Sequence, residues 1–406
     1  MSALLIRNLS QIASPTGMRG AAMRTLRIHE NAVIVVRDGK IAYVGPERRS
    51  RIAITQDYDA KGATAIPGFV DSHTHLPWAG YRESEFNRRL QGETYEQIAA
   101  SGGGIASTVG ATRKASEEQL VDNVLARART MSRYGTTTAE AKSGYGLNLA
   151  DELKQLRAIR KANETSPVRL VATCLAAHDF PPGRRDDSYV DEVVNEIIPA
   201  IAEEQLTKYC DVFIERGVFT PEQGERVLRA GIAHRMKPRV HADEVSDTGG
   251  AALAASLRAA SADHLMHVSD RGIAALAQSN TVANLLPATS FFLMAQRYAP
   301  ARALVDAGAI VSLSTDCNPG SSMTESMPMV MQLATLQMKM TVEESLTAAT
   351  LNGAYSLGLA NETGSLEIGK RADIVLLDAP NYLHLVYHFG VNLVRAVLRD
   401  GEFVVS

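Results

Sequence analysis

Two histidines separated by one residue are the first side chains whose type and spacing suit chemistry. His73 and His75 follow a short apolar stretch, and in an extended chain the side chains at i and i+2 point to the same face. Both imidazoles can therefore reach one cation. His241 and Asp316 lie far along the sequence, yet each also follows a β-prone run. Three imidazoles and one carboxylate, with a position left for water, form a donor set typical of a hydrolytic metal site.

Further polar residues stand at or shortly past the ends of predicted strands in the same way. They are Tyr145, His178, Glu215 and the pair Asp263-His264. Five of the ten histidines in the chain fall at such positions, which packing alone does not require. We therefore expect these side chains to share one site.

The elements that must position this site alternate between strand and helix in the middle of the chain. We predict strands over residues 64–70, 136–141, 169–175, 211–214, 239–241, 262–265, 281–285 and 309–314. Capping boxes beginning at Ser116, Thr220 and Thr341 predict helix starts between them. Eight strands separated by helices indicate an α/β fold, a TIM-like (β/α)8 barrel, whose functional residues lie past the C-terminal ends of the strands.

Both ends of the chain carry short β-type runs broken by turn signals. Residues 32–36 and 41–45 flank a glycine turn that is typical of a hairpin, and residues 372–377 and 396–405 repeat the pattern. Neither end alone has enough strands for a stable sheet. We predict that residues 1–63 and 365–406 together form a small β-sandwich domain beside a metal-dependent hydrolase barrel over residues 64–364.

Composition and charge narrow the class of protein. The chain has 406 residues, with 42 Lys and Arg against 45 Asp and Glu, for a formal charge of −3. This balance argues against a nucleic-acid surface and against a polybasic membrane patch. Three widely spaced cysteines are typical of a reducing compartment. We therefore expect a cytoplasmic enzyme that binds a small molecule and neither nucleic acid nor membrane.

Several motifs resemble those of a known family. Residues 67–75 (PGFVDSHTH) are similar to the metal-binding signature of the amidohydrolase superfamily, and residues 364–375 are similar to the segment that returns these chains to their β domain. Within the superfamily, the motifs at 76–82, 102–105, 142–146, 177–178, 241–244 and 314–321 resemble the imidazolonepropionase family. The resemblance spans essentially the whole chain. It implies a homodimeric hydrolase that opens the ring of 4-imidazolone-5-propanoate to N-formimidoyl-L-glutamate, a step of histidine degradation.

The resemblance also implies roles for the residues of the site. The metal ligands would be His73, His75, His241 and Asp316, with Asp316 also counted as catalytic. Glu244 would protonate the departing ring nitrogen, and His264 would polarise the ring carbonyl. Binuclear relatives use a carboxylated lysine on the fourth strand, whereas that strand ends here at Glu215. We expect one transition-metal ion per subunit, Zn²⁺ or Fe³⁺, with a second ion at Glu215 left open.

The propionate of the implied substrate calls for a planar guanidinium group. Arg82 lies seven residues past His75 on the first barrel loop, where it can reach the pocket. The other implied substrate contacts are Tyr95, Tyr145, His178, Glu244, Asn318, Gly320 and Ser321. Residues 102–104 are three glycines without the Lys-Ser/Thr of a phosphate loop, and we interpret them as a mobile loop.

Two alternatives stay open at this point. A purine or pyrimidine deaminase of the same superfamily would use the same metal ligands but would release ammonia. The aromatic content of 5% offers few stacking platforms for a base, which weighs slightly against it. A metal-free scaffold protein is the other alternative, and the presence of all four ligands disfavours it.

Overall fold

The computed structural model describes residues 3–47, 54–93, 97–98 and 101–406. Its strands are β1 (Ala3–Pro15), β2 (Leu26–Arg37), β3 (Lys40–Pro46), β4 (Gln56–Asp59), β5 (Thr64–Pro67), β6 (Phe69–Asp71), β7 (Thr136–Lys142), β8 (Arg169–Ala177), β9 (Tyr209–Ile214), β10 (Lys237–Ala242), β11 (Ser261–His264), β12 (Val282–Leu285), β13 (Val311–Leu313), β14 (Ile374–Leu377), β15 (Val394–Arg399) and β16 (Glu402–Val405). They form two separate sheets.

The helices cover most of the connections between the middle strands. They are α1 (Glu83–Leu90), α2 (Ile105–Lys114), α3 (Glu117–Arg133), α4 (Leu149–Asn163), α5 (Asp187–Glu192), α6 (Ile198–Glu203), α7 (Pro221–Ala233), α8 (Gly250–Ser256), α9 (Asp270–Ala277), α10 (Pro287–Phe292), α11 (Ala301–Asp306), α12 (Met327–Met338), α13 (Val342–Thr347), α14 (Gly353–Ser356) and α15 (His384–Tyr387). Short 3-10 and π-helical segments lie at Gly20–Arg24, Val193–Ile197 and Ala348–Asn352. The three capping boxes form as predicted, at the starts of α3, α7 and α13. No helix within the described ranges is long and apolar enough to cross a membrane.

A nearly closed parallel barrel forms the centre of the molecule. In the described part of the chain, the eight strands β6 to β13 neighbour one another in sequence order. The two edges of this sheet approach each other just past β6 and β13. There the Asp316 amide donates to the His73 carbonyl at 3.1 Å, and the His75 amide donates to the Cys317 carbonyl at 3.0 Å. The fold class predicted from the alternation of strand and helix is confirmed.

The first predicted barrel strand, residues 64–70, is in fact two strands in different sheets. β5 pairs with β1 and β14 of the terminal sheet, whereas β6 pairs with β7 of the barrel. The chain crosses between the sheets at Gly68, where a Cβ atom would lie only 2.3 Å from Thr137 Oγ1. The Pro67-Gly68 pair is a local signal of a break, but composition does not indicate which sheet each half joins.

The second sheet combines strands from both termini. Its order is β16-β15-β14-β5-β1-β2-β3, with β4 paired to β1, and it contains both parallel and antiparallel neighbours. The predicted hairpins form between β2 and β3 and between β15 and β16. Ile6, Ile12, Ile34, Ile374 and Leu398 belong to a buried cluster that is separate from the barrel core. Strands from the two ends of the chain are therefore held together by their own apolar core.

Candidate metal centre and active site

Four side chains predicted as metal ligands converge at the C-terminal end of the barrel. His73 and His75 follow β6, His241 lies near the end of β10, and Asp316 follows β13; all four are at most 2% exposed. Potential ligand atoms of the three histidines lie within 4.8 Å of one another. Asp316 Oδ1 is 3.4 Å from Nε2 of both His73 and His75. Parallel strands thus bring together residues up to 243 positions apart in sequence.

The hydrogen-bonding state of these histidines tests whether a metal ion suits the site. Nε2 of His73 and Nε2 of His241 are buried and have no hydrogen-bond partner among the residues that the structure describes. Buried polar nitrogens are normally paired, so unpaired ones need an explanation. Imidazole nitrogens directed at a shared point beside a carboxylate are the donors that zinc and iron prefer. The site therefore fits a metal ion.

A second layer of carboxylates lies behind the histidines. Asp263 Oδ2 is 2.8 Å from Nδ1 of His73, and Asp211 Oδ2 is 3.1 Å from Nδ1 of His241. Burial alone would raise the pKa of Asp263, but the charges of Arg239 and His73 hold it below its ordinary value. Ionised carboxylates on the Nδ1 side favour the tautomer whose Nε2 is free for a metal.

Glu244 and His264 form a pair beside the candidate metal ligands. His264 Nδ1 lies 3.6 Å from Glu244 Oε1, and the two side chains are 4% and 13% exposed. Burial raises the pKa of the Glu244 carboxyl; His264 opposes this rise and Asp316 adds to it. A carboxyl group with a raised pKa is suited to carry a proton at neutral pH.

The backbone around these groups is locally strained. His264 and Leu265 have φ angles of 77° and 65°, and Asp316 has a φ angle of 54°. Non-glycine residues in the left-handed region cost free energy and are concentrated at functional sites. The strain coincides here with the two positions that present a histidine and a carboxylate to the candidate metal position.

Glu215 is engaged with the main chain of a neighbouring loop. Its oxygens accept hydrogen bonds from the amides of Arg216 at 2.8 Å, Val245 at 2.8 Å and Ser246 at 3.2 Å, and from the Ser246 hydroxyl. The groups of potential metal-binding side chains found in the described residues do not include Glu215. Its carboxylate instead fixes the segment that directly follows Glu244.

Tyr145 and His178 pack against the candidate metal ligands. The ring of His178 stacks on that of His75 with centroids 5.0 Å apart, and Tyr145 lies 5.3 Å from His178. Burial and the charge of His75 lower the pKa of His178 to about 3. Its Nδ1 is 3.0 Å from the Gly144 carbonyl, to which it donates. The ring is thus neutral, and its Nε2 is a hydrogen-bond acceptor.

Arg82 lies against the loop that follows Asp316. Its Nε donates to Glu85 Oε2 at 2.8 Å, and its Nη1 lies 2.1 Å from the position that a Cβ atom on Gly320 would take. Asn318 Oδ1 accepts hydrogen bonds from the amides of Gly320 and Ser321, both at 2.8 Å. The structure therefore brings the predicted residues Arg82, Asn318, Gly320 and Ser321 together.

One predicted residue cannot be compared, and several contacts were not predicted. Tyr95 lies outside the described residues. Asp211 and Lys142, which pair with each other, are site residues that were not predicted from the sequence. The same holds for Thr289, whose hydroxyl donates to Asp316 Oδ2 at 2.7 Å. Charged residues inside short apolar strands were the available signal for Asp211 and Lys142, because an inward-facing charge in a barrel needs a partner. No comparable signal marks Thr289, which lies in α10.

Comparison with known proteins identifies the family. Residues 64–404 match the model of the amidohydrolase family. The chain is 49% identical to the imidazolonepropionase of Parabacteroides distasonis over 99% of this chain and 98% of that protein. It is 48% identical to the imidazolonepropionase of a Geobacillus species over 100% of this chain and 99% of that protein.

Similarity to solved structures concerns the fold alone. A zinc-containing adenosine deaminase from Xanthomonas campestris superposes with a TM-score of 0.74, covering 100% of this chain and 93% of that one. Its sequence identity is only 21%, so it gives no support to the deaminase alternative. The two sequence relatives, in contrast, match this chain along almost its whole length and carry the same name. The chain belongs to the imidazolonepropionase family of the amidohydrolases.

Proposed function

We propose that this chain hydrolyses the cyclic amide bond of 4-imidazolone-5-propanoate and releases N-formimidoyl-L-glutamate. The observation that carries the proposal is the position of Arg82. Its guanidinium lies against Gly320, four residues past the candidate ligand Asp316. An anion-binding group beside a hydrolytic metal site suits a small ring that bears a carboxylate, and such a group has no evident use for an uncharged base. Membership of the imidazolonepropionase family supports the same substrate.

His73, His75, His241 and Asp316 would hold one metal ion. Zinc and ferric iron both accept three imidazoles and one carboxylate. When bound, such an ion polarises a carbonyl group and lowers the pKa of water towards about 7. The engagement of Glu215 with three amides supports a single ion, because its oxygens are already used.

Residues around the metal ligands would bind the substrate. The two terminal nitrogens of Arg82 would bind the propionate as a fork, while Glu85 holds Nε on the other side. Tyr95 is the further candidate for the same carboxylate. His178 Nε2 would accept a hydrogen bond from a ring N–H, and the Tyr145 hydroxyl would donate to the ring. Asn318, Gly320 and Ser321 would line the opposite side.

Glu244 would carry the proton that the reaction moves. The oxygen of water bonds to the ring carbonyl carbon, and the bond from that carbon to the adjacent ring nitrogen breaks. Glu244 takes one proton from the water and gives it to the departing nitrogen, which becomes an amidine NH₂. The new carboxyl group ionises and releases the second proton of the water to solvent, so the carbonyl carbon ends as a carboxylate. His264 would stabilise the negative charge that develops on the carbonyl oxygen, as an oriented donor beside Glu244.

The proposed function also covers the assembly and its location. We expect a homodimer, as the family resemblance implies, and analytical ultracentrifugation tests it. We expect the enzyme to act in the cytoplasm, where its three free, buried cysteines stay reduced.

The catalytic proposal is tested by supplying imidazolone propionate to the metal-loaded protein. Accumulation of formimidoylglutamate supports it, and conversion of a purine or pyrimidine base with release of ammonia overturns it.

A further inference from the structure

A cluster of five charged side chains lies beneath the metal ligands, inside the barrel. Its members are Glu140, Lys142, Asp211, Arg239 and Asp263, and each has no exposed surface. Taking so many charges out of water is costly unless they are paired with good geometry. The mechanism proposed above uses none of them directly, so the cluster needs a separate explanation.

Lys142 lies at the centre of this cluster. Its Nζ is 2.7 Å from Asp211 Oδ2, 2.8 Å from Glu140 Oε2 and 3.8 Å from Asp263 Oδ2. Its main-chain amide donates to the carbonyl of Thr74 at 2.9 Å. Lys142 therefore contacts the segment between His73 and His75 through its backbone, and the carboxylates of two other strands through its side chain.

The same two aspartates contact the outer nitrogens of metal ligands. Asp211 Oδ2 is shared between Lys142 and His241 Nδ1, at 2.7 and 3.1 Å. Asp263 Oδ2 is 2.8 Å from His73 Nδ1. One ammonium group thus lies between the two carboxylates that orient two of the candidate ligands. A carboxylate that orients a ligating histidine typically affects metal affinity strongly.

Arg239 duplicates this arrangement only in part: it lies as far from Asp263 Oδ2 as Lys142 does, but in the described part of the chain it forms no ion pair with Asp211. Its guanidinium is 2.9 Å from Glu140 Oε1 and donates to the Ser72 carbonyl at 2.7 Å, while it stays 3.8 Å from Asp263. Three carboxylates therefore face two cations in the cluster, and without Lys142 only Arg239 would remain. The unbalanced carboxylates would repel one another, and the rings that they hold would lose their orientation.

We propose that Lys142 is a positioning residue of the metal site, whose ammonium group fixes Asp211 and through it the ring of His241, and which shares with Arg239 the balancing of Asp263 behind His73. The inference rests on the proposed function, because it takes these histidines to be metal ligands. Lys142 is not expected to touch substrate. Removing the Lys142 side chain should therefore weaken metal binding, and it should affect catalysis only through the loss of metal.

The test is the affinity of the metal-free protein for Zn²⁺, measured by competition with a chromophoric chelator. Lys142→Met should weaken the affinity by about 10- to 100-fold. The matched control is Lys161→Met, which removes a lysine whose side chain is 53% exposed and 4.0 Å from Glu118. The control should bind zinc as the wild type does. Wild-type affinity in Lys142→Met overturns the inference.

A second variant separates positioning from packing. If Lys142 acts through Asp211, Lys142→Met should weaken zinc binding less in an Asp211→Asn background than in the wild type, by about threefold or more. If Lys142 only fills space, the two losses add instead. Should Lys142→Met alone fail to fold, the double variant is compared with Asp211→Asn: equal or tighter zinc binding supports the inference. An additional loss of affinity, or failure of the double variant alone to fold, refutes it.

Nitrogen NMR of the imidazole rings gives a readout that does not depend on activity. In the metal-free wild type, His241 should carry its proton on Nδ1, towards Asp211. Lys142→Met should give mixed tautomers for this ring, and an unchanged spectrum contradicts the inference. Zinc binding by His73→Ala at wild-type affinity would instead refute the metal site itself, so the two failures are distinguishable.

Discussion

Replacing Arg82 with methionine tests the substrate assignment through one side chain. The Arg82 side chain is 15% exposed, and Glu85 already binds its Nε. A propionate bound to the remaining nitrogens would form a charge-assisted pair that is largely shielded from water. Removing one partner of such a pair typically costs about 2–5 kcal/mol. Since about 1.4 kcal/mol corresponds to tenfold, kcat/KM should fall by roughly 30- to several-thousand-fold.

The assay compares the acid substrate with a ring analogue that lacks the carboxylate. The wild type should process the analogue poorly, and Arg82→Met should process it about as well as the wild type does. Lysine at this position should rescue only in part, because a point charge does not match the fork. The matched control is Arg88→Met in α1, the helix that begins directly after Arg82; Arg88 contacts Glu93 and Ser101 rather than the site. If Arg82→Met harms both compounds equally, Arg82 has a structural role and the reasoning is refuted.

Three further substitutions test the other parts of the site. His73→Ala should remove most of the bound metal, as measured by elemental analysis; full occupancy in this variant would show that the ligand assignment is wrong. Glu244→Gln should keep the fold and the metal but lower kcat by about 10²- to 10⁴-fold, and steady-state kinetics that retain more than about a tenth of wild-type kcat would point to another proton carrier. Gly320→Ala should raise KM for the acid by less than Arg82→Met does. The new Cβ displaces Arg82 Nη1, which is the end of a flexible side chain. The melting temperature should therefore stay near that of the wild type. An unchanged KM would show that Arg82 binds from another position.

The barrel could be predicted from the sequence because its signals are local. Short β-prone runs, capping boxes such as Ser116 with Gln119, and turn residues each depend on neighbouring positions. The assignment of the two halves of residues 64–70 to different sheets could not be predicted, since it depends on which sheet offers partners to each half. Such pairing is a tertiary property that propensity does not record.

The candidate site could be predicted as a set of residues but not as a geometry. The histidines and Asp316 follow strand ends, and parallel strands bring their ends together. The carboxylates behind the ligands are harder to assign from the sequence. The role of Asp211 and Asp263 depends on the ring nitrogens that they contact, and those contacts are known only from the structure. The left-handed backbone at His264 and Asp316 also has no local signal, since the surrounding structure imposes it.

The most direct test of the account is product identification with the metal-loaded protein and imidazolone propionate. The ultraviolet absorbance of the ring should disappear while formimidoylglutamate accumulates in equal amount, without free ammonia. Removal of the metal with a chelator should stop the reaction, and added Zn²⁺ or iron should restore it. Ammonia release without formimidoylglutamate, or full turnover by metal-free protein, would contradict the account.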